Sequence, residues 1–403
     1  MKTARKLCAL AALTAMVVVG LAPGTAQAAD PLTVEVGRFL PGSPAEGMRF
    51  YAPTLEVEQG QVVTFTSESF HTATLLPANT DVGSWTQDNV YGVGKPWSLF
   101  TTDPDDTDRD PGGGPDTPSL KANNAVAFPS EFNCGDSATP CSYDGSGVLN
   151  SGLPQQGPLS FSVTVDADVG DTIWVICIVH PHMRLRMKVV GVGEGATQAE
   201  IDSFANEMAA KDADEAEALH TKLSNRQSKH RAGGKTVWDA WAGYDTHHVT
   251  LYGMYPAKLN VRRGDTVRFH FAQMVFEDHT ASFPTSKARP IANDAFVPSC
   301  DPDGDVVGGE EDTPPDDPES ICSGGLDQVE LDIQPRFAYE QGNGTFNRTD
   351  YENSGVRGAS AAFPNDNAWD LKFARTSGRQ PFKYICLIHP FMRGRVAVKP
   401  AQR

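Results

Sequence analysis

Two seven-residue stretches, Cys177-Ile178-Val179-His180-Pro181-His182-Met183 and Cys386-Leu387-Ile388-His389-Pro390-Phe391-Met392, are near copies of one another. Each sets a thiol, an imidazole and a thioether at the spacing C-x2-H-x2-M. A second histidine precedes each at long range: His71 in Phe70-His71-Thr72-Ala73-Thr74-Leu75, and His279 in Asp278-His279-Thr280-Ala281-Ser282-Phe283. The cysteines stand 209 residues apart and the histidines 208. The chain therefore reads as one duplicated unit, with its cluster of soft and nitrogen donors duplicated too.

The flanking sequence has the period of β-structure. Thr54-Leu55-Glu56-Val57 runs through Gly60 to Val62-Val63-Thr64-Phe65. Its counterpart is Lys258-Leu259-Asn260-Val261, then Gly264, then Val267-Arg268-Phe269. Alternation of period two bounded by glycine marks half-buried strands. Apolar strands lead into each cysteine (Ile173–Ile176; Tyr384-Ile385), and further strands follow each methionine (Met187–Val190; Val396–Val398). An all-β class of two sandwiches is expected. Between first histidine and cysteine each half carries an insertion, about residues 77–160 and 285–378, rich in Asp, Gly, Pro and Asn. Tyr143–Val148 and Tyr351–Val356 match within them, again 208 apart. Asp301-x-Asp303-Gly304-Asp305 opens like a calcium loop, but the glycine is misplaced and no closing Glu follows. It and the run Asp103–Asp116 read as solvated acidic loops.

From Gln198 to about Gln227 the chain is rich in Ala, Glu and Lys, with Ile201, Phe204, Met208, Ala216, Leu219 and Leu223 mostly three or four apart. Thr197 and Glu200 form a capping-box pattern before it, so one amphipathic helix is predicted to join the halves. Val237-Trp238-Asp239-Ala240-Trp241 should dock the chain onto the second half. At the N-terminus Lys2, Arg5 and Lys6 precede the apolar run Leu7–Ala22 and the triplet Ala26-Gln27-Ala28. That pattern predicts a cleaved export signal. The expected division is a signal peptide at 1–28, a first domain at 30–192, a helical linker at 193–235 and a second domain at 236–403.

Net charge is −17, and −20 once the three signal cations leave. An acidic chain argues against nucleic acid and anionic membrane surfaces as partners, and no later segment is apolar enough to span a membrane. Six cysteines survive processing. Two belong to the repeated motif; Cys134 with Cys141 and Cys300 with Cys322 are expected as disulfides in an exported protein.

A thiolate, two imidazoles and a weak axial thioether are the donors of a blue-copper centre. Structural zinc prefers four strong donors. Copper is thus the expected cofactor, in two type 1 sites: His71, Cys177, His180 and Met183; His279, Cys386, His389 and Met392. Both halves resemble cupredoxins, the plastocyanin, pseudoazurin and amicyanin group, and the C-x2-H-P-x-M-R ending is similar to amicyanin's short ligand loop. The resemblance covers the framework strands, about half of the mature chain. It implies Greek-key β-sandwiches, copper near one end, one-electron transfer and the ligand roles just given. The acidic surface is compatible with a basic redox partner protein, whose identity the sequence leaves open together with the oligomeric state. One departure is His182, where the second copy has Phe391; the His182 site is expected to be the wetter.

Duplicated cupredoxin domains also build copper enzymes. A trinuclear oxidase cluster needs eight histidines, and four of this chain's ten are assigned. A type 2 histidine immediately before each cysteine is replaced by Ile176 and Ile385. The sequence expectation is therefore an electron carrier and no enzyme. Extracytoplasmic copper sequestration or delivery is the alternative, and a two-domain oxidase or nitrite-reductase-like enzyme a further one.

Overall fold

The computed structural model describes residues 29–52, 54–103, 119–129, 134–154, 157–271, 277–300, 329–358 and 367–401. The predicted signal peptide, the acidic runs 104–116 and 301–316 and Cys322 of the second expected disulfide lie outside them. Each half is a sandwich of two sheets. In the first, Leu32–Leu40, Ala45–Phe50, Val62–Ser67, Leu159–Val165 and Cys141–Tyr143 face Thr54–Glu58, Arg184–Val190, Thr172–Ile176, Thr74–Leu75 and Leu149–Asn150. In the second, Lys235–Asp245, Val249–Tyr255, Thr266–His270, Ala368–Phe373 and Thr345–Phe346 face Lys258–Arg262, Arg393–Lys399, Phe382–Ile385, Ser282–Phe283 and Glu352–Asn353. The all-β class of two sandwiches read from the alternation is the one found.

The alternation works as predicted. In Val62–Ser67 the side chains of Val63 and Phe65 point inward while Val62 and Thr64 are partly exposed. Arg393–Lys399 buries Gly394, Val396 and Val398 and leaves Arg393, Arg395 and Lys399 out. Strands place successive side chains on opposite faces, so each sheet presents one apolar face to its partner. Cys177 and Met183 belong to the first apolar core, Cys386 and Met392 to the second. Each motif thus closes one end of a core rather than hanging from a free loop.

The halves are joined edge to edge. Ala45–Phe50 pairs antiparallel with Val249–Tyr255, which fuses one sheet from each sandwich into a single sheet of eleven strands. The insertions meet as well: Ser119–Ala122 pairs with Val329–Ile333 within a four-stranded sheet drawn from both halves. Helix Gln198–Ser224 begins with the predicted capping box, Thr197 accepting from the Glu200 N–H and Glu200 from that of Thr197. Such a cap contributes about 1 kcal/mol. The helix lies over the joint. Ile201 enters the first core, Ala216 and Leu223 pack with Leu40, Trp241 and Leu251, and buried Asp212 accepts two hydrogen bonds from Arg49 and one from Tyr51. Trp238 and Trp241 lie within strand Lys235–Asp245 of the second sandwich.

The insertions hold more structure than their composition suggests. Each contains short helices, Val82–Asn89 and Asn124–Ala127 in the first, Thr285–Asn293 and Pro335–Ala338 in the second. Cys134 and Cys141 form the expected disulfide. Cys177 and Cys386 are free and buried. Among the described residues no helix is long and apolar enough to cross a membrane.

Candidate metal centre

The distant histidines do reach the cysteine loops. Cys177 Sγ lies 3.7 Å from Nδ1 of both His71 and His180, and those two nitrogens are 3.0 Å apart. In the second half the Sγ of Cys386 is 4.0 Å from His279 Nδ1 and 3.9 Å from His389 Nδ1, with 3.3 Å between the nitrogens. Bonds of roughly 2.0 Å to nitrogen and 2.3 Å to sulfur, as zinc makes them, would set N and S roughly 3.7 Å apart at a trigonal angle. One metal ion fits among each set of three donors. Met183 and Met392 are both buried, and each folds back on its own loop: the cysteine N–H donates to the methionine carbonyl at 3.2 Å, and the methionine N–H to the carbonyl of His180 or His389 at 2.8 Å.

One threonine that the sequence reading passed over locks each loop. The N–H of Thr72 donates to Cys177 Sγ (3.4 Å), and its hydroxyl accepts from Ile178 N–H (2.8 Å). Thr280 repeats both bonds toward Cys386 (3.3 Å) and Leu387 (2.7 Å). The signal was present, since Thr follows the first ligand histidine in both copies. Gly37 and Gly243, at φ +68° and +72°, were also missed. A Cβ on either would sit 2.2 or 2.0 Å from Nε2 of His71 or His279, so only glycine lets the imidazole lie against the strand.

The outward faces of the imidazoles carry charge. Since Nδ1 faces the donor set, Nε2 bears the proton. His71 Nε2 donates to Glu46 Oε1 at 2.7 Å, and both side chains are fully buried. His180 Nε2 lies 3.0 Å from Glu277 Oε1, and His389 Nε2 3.7 Å from Glu277 Oε2, so one carboxylate stands between the two centres. Tyr252 completes the chain: its hydroxyl is 2.8 Å from Glu46 Oε2 and 3.1 Å from Glu277 Oε1. Its ring packs 4.9 Å from that of His389. Burial opposes the charge on Glu46 and Glu277, but the neighbouring imidazoles outweigh it and hold both carboxyls below their ordinary range. Burial likewise opposes ionisation of Cys177 and Cys386, yet their paired histidines hold both thiols well below the usual value. His71 is raised to about 8 against its own burial by Cys177 and Glu46. Each cluster is electrostatically arranged to present a thiolate.

The expectation that the His182 site is the wetter is corrected. The His180 side chain is 4% exposed and that of His389 16%. His182 instead turns aside to hydrogen-bond the Tyr91 hydroxyl at 2.8 Å. Glu277 closes over His180 from the other half, which a comparison of the two motifs does not disclose. His270, outside both donor sets, hydrogen-bonds Asp239 at 2.9 Å and stacks on Trp241.

Both centres open onto one cavity between the halves, of about 940 Å³. Its wall includes His180, His389, Tyr252 and Glu277, and at its mouth the exposed rings of Phe39, Phe70 and Phe391.

No protein-family model and no curated protein matches the chain. Among solved structures it is similar to a copper-containing nitrite reductase from Thermus scotoductus SA-01, at 12% identity and a TM-score of 0.18 over 92% of this chain and 68% of that one. It is also similar to a blue copper oxidase from Nitrosomonas europaea, at 10% identity and 0.18 over 85% and 86%. A third is the multicopper oxidase mgLAC, at 11% and 0.15 over 85% of each chain. These are names of copper enzymes. The expectation of a carrier that is no enzyme is therefore withdrawn.

Proposed function

We propose that this chain is an exported copper oxidoreductase built as a tandem of cupredoxin-like domains, with a type 1 copper in each. The first centre is assigned to His71, Cys177, His180 and Met183, the second to His279, Cys386, His389 and Met392. The carrying observation is that each half gathers one cysteine and two histidines at bonding separation inside a buried core, where thiolate and imidazole suit copper in both oxidation states. When bound, copper would supply one-electron acceptance and release. The protein's part is to hold the donors rigidly through the Thr72 and Thr280 locks, keep water from the sulfurs and orient the His71 and His180 imidazoles through the carboxylates at their Nε2 atoms.

The shared cavity favours turnover over simple carriage. A carrier needs only an exposed edge, whereas a concave apolar site of several hundred Å³ with a few polar groups is the form of a small-molecule site. Here His180 and His389 stand in its wall, so a reductant inside it reaches both centres through imidazole. The test is to load the protein with copper, count the metal and record the visible spectrum. Two coppers per chain with an intense thiolate band are expected. Oxygen or nitrite consumption with a chemical reductant then reads turnover. A copper-loaded protein without that band would end the reading.

A further inference from the structure

The two centres share their donors but not their surroundings. Tyr51 and Tyr255, Leu55 and Leu259, Gly60 and Gly264, and Phe65 and Phe269 all stand 204 residues apart. By the same offset Glu46 corresponds to Thr250. Glu46 bonds His71 directly, whereas the Thr250 hydroxyl donates to Asp245 Oδ1 at 2.9 Å and His279 Nε2 is buried with no hydrogen-bond partner among the described residues. At the other ligand histidine the difference has the same sense, Glu277 lying 3.0 Å from His180 and 3.7 Å from His389. Asp245 acts on His279 only through space.

We infer that Glu46 makes the Cys177 centre the lower-potential member of the pair, so that an electron entering the molecule comes to rest at the Cys386 centre. This rests on the copper reading above. A carboxylate accepting from a ligand imidazole makes that ligand more electron-donating, which favours the more highly charged, oxidised metal. Among the described residues, the Cys177 centre has two such carboxylates at hydrogen-bond distance and the Cys386 centre none. Between them lies a continuous route, His180 Nε2 to Glu277 to His389 Nε2, with the Tyr252 ring packed on His389 and its hydroxyl on Glu277. With both sites loaded, one electron would pass from the metal held by His71, Cys177 and His180, oxidising that metal by one charge, to the metal held by His279, Cys386 and His389, reducing it by one. No bond breaks and no proton is transferred. The receiving centre is also the one whose outer imidazole is the more exposed, with Phe391 beside it. Glu46 is in this sense a positioning residue acting through His71.

A potentiometric titration of the copper-loaded full chain, followed in the visible, tests this. Two one-electron waves are expected. Cys177→Ser should delete the lower and Cys386→Ser the upper. Glu46→Gln, which keeps the shape but not the charge, should move the lower wave upward by at least a tenfold change in electron partition, 59 mV for a one-electron couple. Thr250→Val should move neither wave by as much. If a cysteine variant does not fold, Met183→Leu and Met392→Leu identify the waves instead, because the axial ligand tunes its own centre. Coincident waves, deletion of the upper wave by Cys177→Ser, or a Glu46→Gln protein with both bands and an unmoved lower wave would overturn the inference while leaving the copper reading intact. A colourless wild-type protein would overturn both.

Discussion

Glu46 and Thr250 pair with each other in the strand register that joins the two halves, and each occupies the other's place in its own half. The neighbours obey the same rule, Ala45 with Leu251 and Gly47 with Val249. A two-fold axis therefore passes through this one pair. It sets the two ligand loops on opposite sides of a single cavity, which is how His180 and His389 come to share Glu277. The paired strands, the helix over them and the bonds of Asp212 hold that arrangement.

If the two donor sets are independent centres, Cys177→Ser and Cys386→Ser should each remove about half of the visible thiolate band and one copper per chain. Absorption with metal quantitation checks this. Loss of the whole band from either single variant would show that the centres do not form separately.

Replacing Thr72 by Val should leave the buried Ile178 N–H without its acceptor. An unmet buried donor costs about 1–3 kcal/mol, read as a lower melting temperature. Copper at the Cys177 centre should also exchange faster with a chelator while the Cys386 centre keeps its rate. Thr280→Val should give the mirror result.

Gly37→Ala and Gly243→Ala should each disable one centre. The added Cβ would overlap Nε2 of the ligand histidine, and the positive φ adds strain. Copper stoichiometry falling from two to one, with the fold retained by circular dichroism, is the expected outcome. A full complement of copper in either variant would contradict the packing described.

Buried Asp245 gives a pH prediction for the metal-free protein. Burial pushes its carboxyl up to about 6 against the pull of His279 and the bond from Thr250. A pKa raised on folding means that the folded form holds its proton longer than the unfolded chain. The stability it contributes is whole below the ordinary value near 3.8 and is lost as pH rises through 6. At about 1.4 kcal/mol per pH unit the loss reaches on the order of 3 kcal/mol. Asp245→Asn should flatten stability over that window, as measured by denaturant melts from pH 4 to 7.

The donors and the strands beside them were legible because they are short, periodic and repeated. The first two strands of each half were not. In Leu32–Leu40 the alternation breaks at Gly37, where the register shifts, and Ala45–Phe50 buries a glutamate and a glycine among its apolar residues. A pattern reader takes such a segment for a turn. Glu46 was invisible for a further reason. Its charge is tolerable inside the protein only because His71, 25 residues on, and Tyr252, 206 residues on, meet it there. The short helix Thr285–Asn293, with Pro290 inside it, offers too few turns for a period to show. The expectation of a carrier that is no enzyme rested on the histidine count and on Ile176 and Ile385 before the cysteines, and neither says anything of a cavity made by two halves together.

Two identical subunits related by an axis must carry the same residue at equivalent points on both sides of it. Here the subunits are successive stretches of one polypeptide, and the axis runs between Glu46 and Thr250. Covalent fusion removes the obligation to match. Each face can be altered by a single substitution without changing its twin, so a symmetric scaffold can acquire a built-in polarity that no homodimer could encode.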